Sequence, residues 1–131
     1  MNTFHLQIVT PDGEFFNGQA ERLIVRTTMG NVAIMARHAN YVAALDMGEA
    51  VVVTEGKRKT ASCIGGMLAV TNGEARVIAT AFEWAEQIDR ARAEAALAQA
   101  EARLADTSLS DEEHRLADLA KRRASVRLRV K

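Results

Sequence analysis

TNGEARVIATAFEWAEQIDRARAEAALAQAEARLA, residues 71–105, contains the point where the chain changes character. Asn72-Gly73 is a two-residue loop of the kind that accepts positive φ at both positions, and Glu74–Thr80 after it alternates apolar with polar residues. That combination predicts a β-hairpin. After Phe82 both Gly and Pro disappear, and eight alanines fall between Ala91 and Ala105 among Leu, Glu, Gln and Arg. These are strong helix formers, so a strand-built part ends and a helical part begins near Trp84.

Upstream, the period-two pattern starts at Phe4, with Leu6 and Ile8 on one side and His5, Gln7 and Val9 on the other. Pro11-Asp12-Gly13 has the chemistry of a tight turn. Asn17-Gly18, Gly30-Asn31, Met47-Gly48 and Glu55-Gly56 read as further turns, which delimit strands at Glu21–Thr27, Val32–Met35, Tyr41–Leu45, Glu49–Thr54, Arg58–Ile64 and Met67–Thr71. Short strands at such spacing predict an antiparallel β-sandwich over residues 1–84.

Downstream, the pattern predicts a helix from about Gln87 to Ala105, a turn over Asp106–Leu109 and a second helix from about Asp111 to Arg129. Ser110 and Glu113 form a capping box at its start. So short a turn makes residues 85–131 an antiparallel two-helix hairpin. The fold class is thus all-β plus α.

Composition narrows the function classes. Seventeen basic and seventeen acidic residues cancel, which removes the long-range field of a nucleic-acid binder. No apolar run reaches the roughly 18 residues of a membrane span, and no secretory leader is expected at the start of the chain. A lone cysteine, Cys63, suits a reducing compartment and a place in the core. His5, His38 and His114 lack a second ligand at helical spacing, so no metal site is expected. With neither a phosphate-binding glycine loop ending in Gly-Lys-Ser/Thr nor a Gly-x-Ser-x-Gly elbow, no active site is expected either. Phe82 and Trp84 read as anchors of the junction between the two parts.

The chemistry that remains lies in the hairpin. On a helical wheel of about 100° per residue, Ala93, Leu97, Ala100 and Leu104 share a face with Asp89. Leu116, Leu119, Ala120, Ala124, Val126, Leu128 and Val130 form the apolar side of the second helix, with Arg123 and Arg127 among them. Charges inside packing stripes need partners. Antiparallel pairing about residue 108 puts Asp89 level with Arg127, with Ala93 level with Arg123 and Arg92 on the flank. One reading is an Asp89–Arg127 salt bridge that registers the helices. Another is that Arg92, Arg123 and Arg127 carry surplus charge for a phosphate-bearing ligand or an acidic protein partner. A third has the hairpin open, so that its second helix pairs with another subunit. The last eleven residues, Lys121–Lys131, hold six Lys and Arg and no acid.

Phe4-His5-Leu6-Gln7-Ile8-Val9-Thr10-Pro11-Asp12-Gly13 resembles the opening strand and turn of ATP synthase epsilon subunits, the equivalent of the mitochondrial delta subunit. Ala44-Leu45-Asp46-Met47-Gly48, Gly65-Gly66-Met67-Leu68-Ala69-Val70 and the Ala-rich hairpin resemble that family in the same order and spacing. Ala33-Ile34-Met35-Ala36-Arg37-His38-Ala39-Asn40 departs from it, lacking two prolines and a glycine that usually flank the central histidine.

The resemblance implies a non-catalytic rotor subunit that couples ion flow to ATP synthesis. It implies a sandwich bound to the gamma subunit and the ring of c subunits, and a hairpin that docks on the sandwich or extends toward alpha and beta to block hydrolysis. His38, Arg122, Arg123 and Arg127 would then meet other subunits, and the protein would sit peripherally on the cytoplasmic face of the inner membrane. Some family members bind ATP as a regulatory ligand through an Ile/Leu-Asp-x-x-Arg-Ala motif. Ile88, Asp89, Arg92 and Ala93 match it, with Arg123, Arg127 and Glu83 at the supporting positions, while Gln99 replaces a further arginine. No cofactor is required on this reading. The alternative from the residues is a stand-alone β-sandwich that binds a ligand or peptide, with the hairpin as a dimerisation arm.

Overall fold

The computed structural model describes residues 2–131. Seven strands come first: β1 (Phe4–Thr10), β2 (Gly13–Ala20), β3 (Arg22–Thr27), β4 (Gly30–Ile34), β5 (Tyr41–Thr54), β6 (Lys57–Thr71) and β7 (Glu74–Trp84). A 3₁₀ turn at Ala85–Gln87 leads to α1 (Arg90–Ala105) and α2 (Asp111–Val130). The strands hydrogen-bond in the order β2-β1-β7-β6-β5-β3-β4. All pairs are antiparallel except β1 with β7, which run parallel.

β1 and β3 lie four places apart in that order, which in a flat sheet would separate them by about 19 Å. Yet Leu6 and Ile8 of β1 share one core with Leu23 and Val25 of β3. The sheet therefore folds over on itself, as a sandwich requires. Where β2 closes onto β5, the Thr54 hydroxyl donates to the Gln19 carbonyl at 2.9 Å, and just past β2 the Glu21 amide donates to the Val53 carbonyl at 2.7 Å.

The fold is made by changes of phase within the long strands. In β6, Ala61 and Cys63 face the core, but farther along Leu68 and Val70 do, so odd positions give way to even ones. The same switch separates Leu45 from Ala50 and Val52 in β5, and Ala79 from Phe82 and Trp84 in β7. Since side chains alternate strictly along a regular strand, an irregularity must absorb one residue in each. In β6 it is Gly65-Gly66, both at positive φ (67° and 114°). Gly66 also has no room for a side chain, since a Cβ there would collide with the Ile78 carbonyl and approach the Ala79 Cα to 2.7 Å.

These residues overturn part of the expected turn pattern. Met47-Gly48 lies inside β5, which runs unbroken from Tyr41 to Thr54, and Arg58–Ile64 and Met67–Thr71 are halves of the single strand β6. Asn17-Gly18 likewise lies inside β2. A glycine needed for a bend or close packing in mid-strand looks, in sequence, like a turn glycine. The Asn72-Gly73 and Glu55-Gly56 turns are as expected, with φ of 51° and 80° at the first and 52° and 73° at the second.

In the hairpin, Ala93 and Ala100 of α1 and Ala117 and Ala124 of α2 are buried. Such small residues let two helices approach closely. Leu116 is 51% exposed and lies outside this seam, contrary to the expectation from the wheel. The Ser110 hydroxyl accepts from the Glu113 amide at 3.2 Å, while the Glu113 carboxylate pairs across the hairpin with Arg103 at 3.9 Å. In the turn, Asp106 accepts from the side chain and amide of Ser108, which hold its carboxyl below the ordinary value. α2 is the helix that rests on the sheet. Val126 and Val130 pack with Ile88 against Ile64, flanked by Met47, Ala81 and Ala85.

Candidate functional site

Docking of α2 leaves a cleft on either side of it. The first, about 590 Å³, runs between the hairpin and the end of β7 and is bordered by Glu83, Ile88, Asp89, Arg92, Ala93 and Arg127. The motif and two of its supporting residues are thus brought together. Asp12 and Phe15 from the β1–β2 hairpin complete the wall. Neither could be found from sequence, because they stand about seventy residues upstream and carry no signal beyond a turn. Arg123, expected to converge here, does not border the cleft; it is half-buried, with no ion-pair partner among the described residues.

Local folding explains the rest of the geometry. Ile88 is 3% exposed and pins the link between sheet and helix. Asp89 is the N-cap of α1, and its carboxylate accepts from the Arg92 amide at 3.1 Å. Such a cap satisfies a donor that the helix itself leaves open. The first helix accordingly starts at Arg90, later than the expected Gln87.

This placement overturns the Asp89–Arg127 salt bridge. Arg127 instead donates from Nε to the Glu83 carboxylate at 2.6 Å, tying α2 to the end of β7. Matching two helices by counting from their turn cannot reveal a carboxylate that the sheet presents from below. The contact is charge-assisted, at a site where both side chains are about one-third exposed.

The groove holds three carboxylates, Asp12, Glu83 and Asp89, against two guanidiniums, Arg92 and Arg127. A polyphosphate would have to take Arg127 from Glu83 and tolerate Asp12. Of these two guanidiniums, only that of Arg92 lacks a side-chain partner among the described residues. The arrangement leaves one uncommitted guanidinium to face an anion.

The second cleft, about 560 Å³, lies between α2 and strands β3 and β5. Here Arg122 reaches Asp46 at 3.3 Å, and Asp46 also faces Arg26 at 3.8 Å. Arg122 is thus a second tether between hairpin and sheet. His38 lines neither cleft. It sits in the β4–β5 connection, where Nδ1 donates to the Ala39 carbonyl at 2.7 Å and the ring meets Tyr41 edge-on at 5.8 Å. The preceding residue, Arg37, is at φ 66°, a costly conformation for a residue with a side chain.

Phe82 and Trp84, read from sequence as anchors of the junction, face the sandwich core, both buried and packed edge to face at 5.0 Å, with the Lys59 ammonium 4.2 Å from the indole centre. Cys63 is buried, and burial pushes its thiol up to about 12. No group of three or more His, Cys, Asp and Glu among the described residues could hold a metal ion. No helix among them is long and apolar enough to cross a membrane.

Comparison with known proteins agrees with the architecture. The family model for the ATP synthase Delta/Epsilon chain, beta-sandwich domain, matches residues 3–85. The ATP synthase epsilon chain of an Exiguobacterium species is 38% identical over 132 residues, covering 100% of this chain and 97% of that one. That of Ruminococcus albus is 39% identical, covering 99% and 97%. Among solved structures, a chain of the Euglena gracilis mitochondrial ATP synthase, in its OSCP/F1/c-ring, superposes with a TM-score of 0.83 at 21% identity, covering 95% of this chain and 79% of that one. With a sandwich, a hairpin and near full-length relatives all in agreement, the chain belongs to the ATP synthase epsilon family.

Proposed function

We propose that this epsilon chain is a non-catalytic rotor subunit in the central stalk of an ATP synthase, and that its hairpin is a detachable brake on ATP hydrolysis. Gamma, the c-ring and the alpha and beta subunits are its partners, through which it sits at the membrane periphery, on the cytoplasmic face. ATP in the groove beside Arg92 and Arg127 is a weak regulatory ligand that favours docking.

One observation carries this reading: the hairpin covers only part of the outer face of the sheet. On the covered part it meets Ile64, Met47 and Ala81. On the bare part Ala44, Met67 and Ile78 stand side by side across β5, β6 and β7, with Val42 beside them. Val42 is 63% exposed, Met67 46% and Ile78 49%. A contiguous apolar row on a sheet face is unusual on a lone domain and suits a protein partner. We assign gamma to it. The hairpin, by contrast, is held by a small apolar cluster and two ion pairs. A contact of that size can be broken without unfolding the sheet.

Reconstitution tests both halves. The chain should bind purified gamma with the α/β hexamer and slow ATP hydrolysis. Met67→Asp with Ile78→Asp should lose binding by at least tenfold. A chain ending after Trp84 should keep binding and lose the inhibition. Retained binding in the double variant would refute the assigned face, and inhibition by the shortened chain would refute the brake. Calorimetric titration with ATP, with and without magnesium, tests the ligand; no heat at millimolar nucleotide removes it.

A further inference from the structure

Ser62 is 1% exposed, and its hydroxyl has no hydrogen-bond partner in the protein. It lies on the outer face of β6, two residues from Ile64 on the same side, between its cross-strand neighbours Glu49 and Glu83. Ala61 and Cys63 on either side of it belong to the sandwich core, so Ser62 faces the opposite way, toward the hairpin. Farther along the same outer face, where no helix lies, Met67 is 46% exposed. The docked hairpin is therefore what closes Ser62 off from solvent.

Neither neighbouring carboxylate serves the hydroxyl. Glu83 is turned to Arg127 at 2.6 Å, and Glu49 faces Arg58 at 4.0 Å. A buried hydroxyl without a partner costs free energy that an exposed one, bonded to water, does not. Here burial and exposure correspond to hairpin docked and hairpin released. Residues 57–71 form β6, within the sheet that carries the hairpin, so release would uncover Ser62 without unpairing its strand and the cost falls on the docked form.

We propose that Ser62 is a built-in weakener of hairpin docking, a polar residue beneath the Ile64–Val126–Val130 contact that shifts the balance toward release. The proposal rests on the detachable hairpin argued above and adds the residue that sets its equilibrium. It predicts that removing the hydroxyl tightens docking, whereas truncating the neighbouring apolar side chains loosens it.

The experiment measures the distance between spin labels on the sheet and on α2, placed by Met29→Cys and Leu116→Cys in a Cys63→Ala chain. Both labelled positions are exposed. Adding Val126→Ala brings the released form into measurable range. Into that background Ser62→Ala should raise the docked-to-released ratio about tenfold, the scale set by one unpaired buried hydroxyl. Ser62→Gly, which also lacks the hydroxyl and adds no thiol to the labelled chain, should move it the same way and substitutes if the alanine variant does not fold. A ratio unchanged or lowered in the Ser62 variant overturns the proposal, since it would mean that the hydroxyl is satisfied under the hairpin. If even Val126→Ala shows no released form, the detachable hairpin itself fails, and the proposal with it.

Discussion

The Glu83–Arg127 contact is the sharpest test of how the hairpin is held. Exposed ion pairs are worth up to about 1 kcal/mol, and hydrogen bonds to charged groups about 1.5–3 kcal/mol. At 2.6 Å, with the two side chains 29% and 37% exposed, this pair falls between those ranges, at about 1–1.5 kcal/mol. A double-mutant cycle of Glu83→Gln and Arg127→Gln isolates it, read from urea unfolding followed by helical circular dichroism. The expected coupling is about 1 kcal/mol, so the double variant loses less than the two singles added together. Asp89→Ala should cost about 1 kcal/mol through the lost helix cap, with no coupling to Arg127 beyond about 0.3 kcal/mol. Coupling of Arg127 to Asp89 in place of Glu83 would refute the reasoning and restore the helix-to-helix salt bridge.

Two further substitutions test the sheet. Gly66→Ala would push a Cβ into the backbone of β7 at φ 114°, so unfolding should show a loss of about 3 kcal/mol or more. Gly73→Ala, at φ 80° with open space around it, should lose only about 1–2 kcal/mol; equal losses would refute the close-approach argument. Cys63, buried and with its thiol raised to about 12, should resist alkylation at mildly alkaline pH in the folded chain and react promptly in denaturant.

Much of this was legible from residues alone. The switch from period two to alanine-rich helix located the junction, and Asn72-Gly73 and Glu55-Gly56 located two hairpins, because those signals depend on local backbone preference. What local reading could not separate was a glycine that ends a strand from one that bends it. Met47-Gly48 and Gly65-Gly66 are interior to strands because neighbouring strands hold them there. Long-range facts were out of reach for the same reason. Arg127 finds Glu83 and Arg122 finds Asp46 only once the hairpin lies on the sheet. Asp12 and Phe15 reach the groove only because β1 pairs with β7. Ile88, Asp89, Arg92 and Ala93 border one groove without Arg123, and Asp89 serves there as a cap, a role that its place in the motif conceals.

The phase changes in β5, β6 and β7 have a mechanical result. Each of these strands is one continuous ribbon whose outward side chains are exposed and apolar at one end and a seat for α2 at the other. On the proposed reading, grip and release are written on opposite ends of the same three ribbons, so that a helix leaves one end while the backbone hydrogen bonds that carry a turning load through the other stay closed.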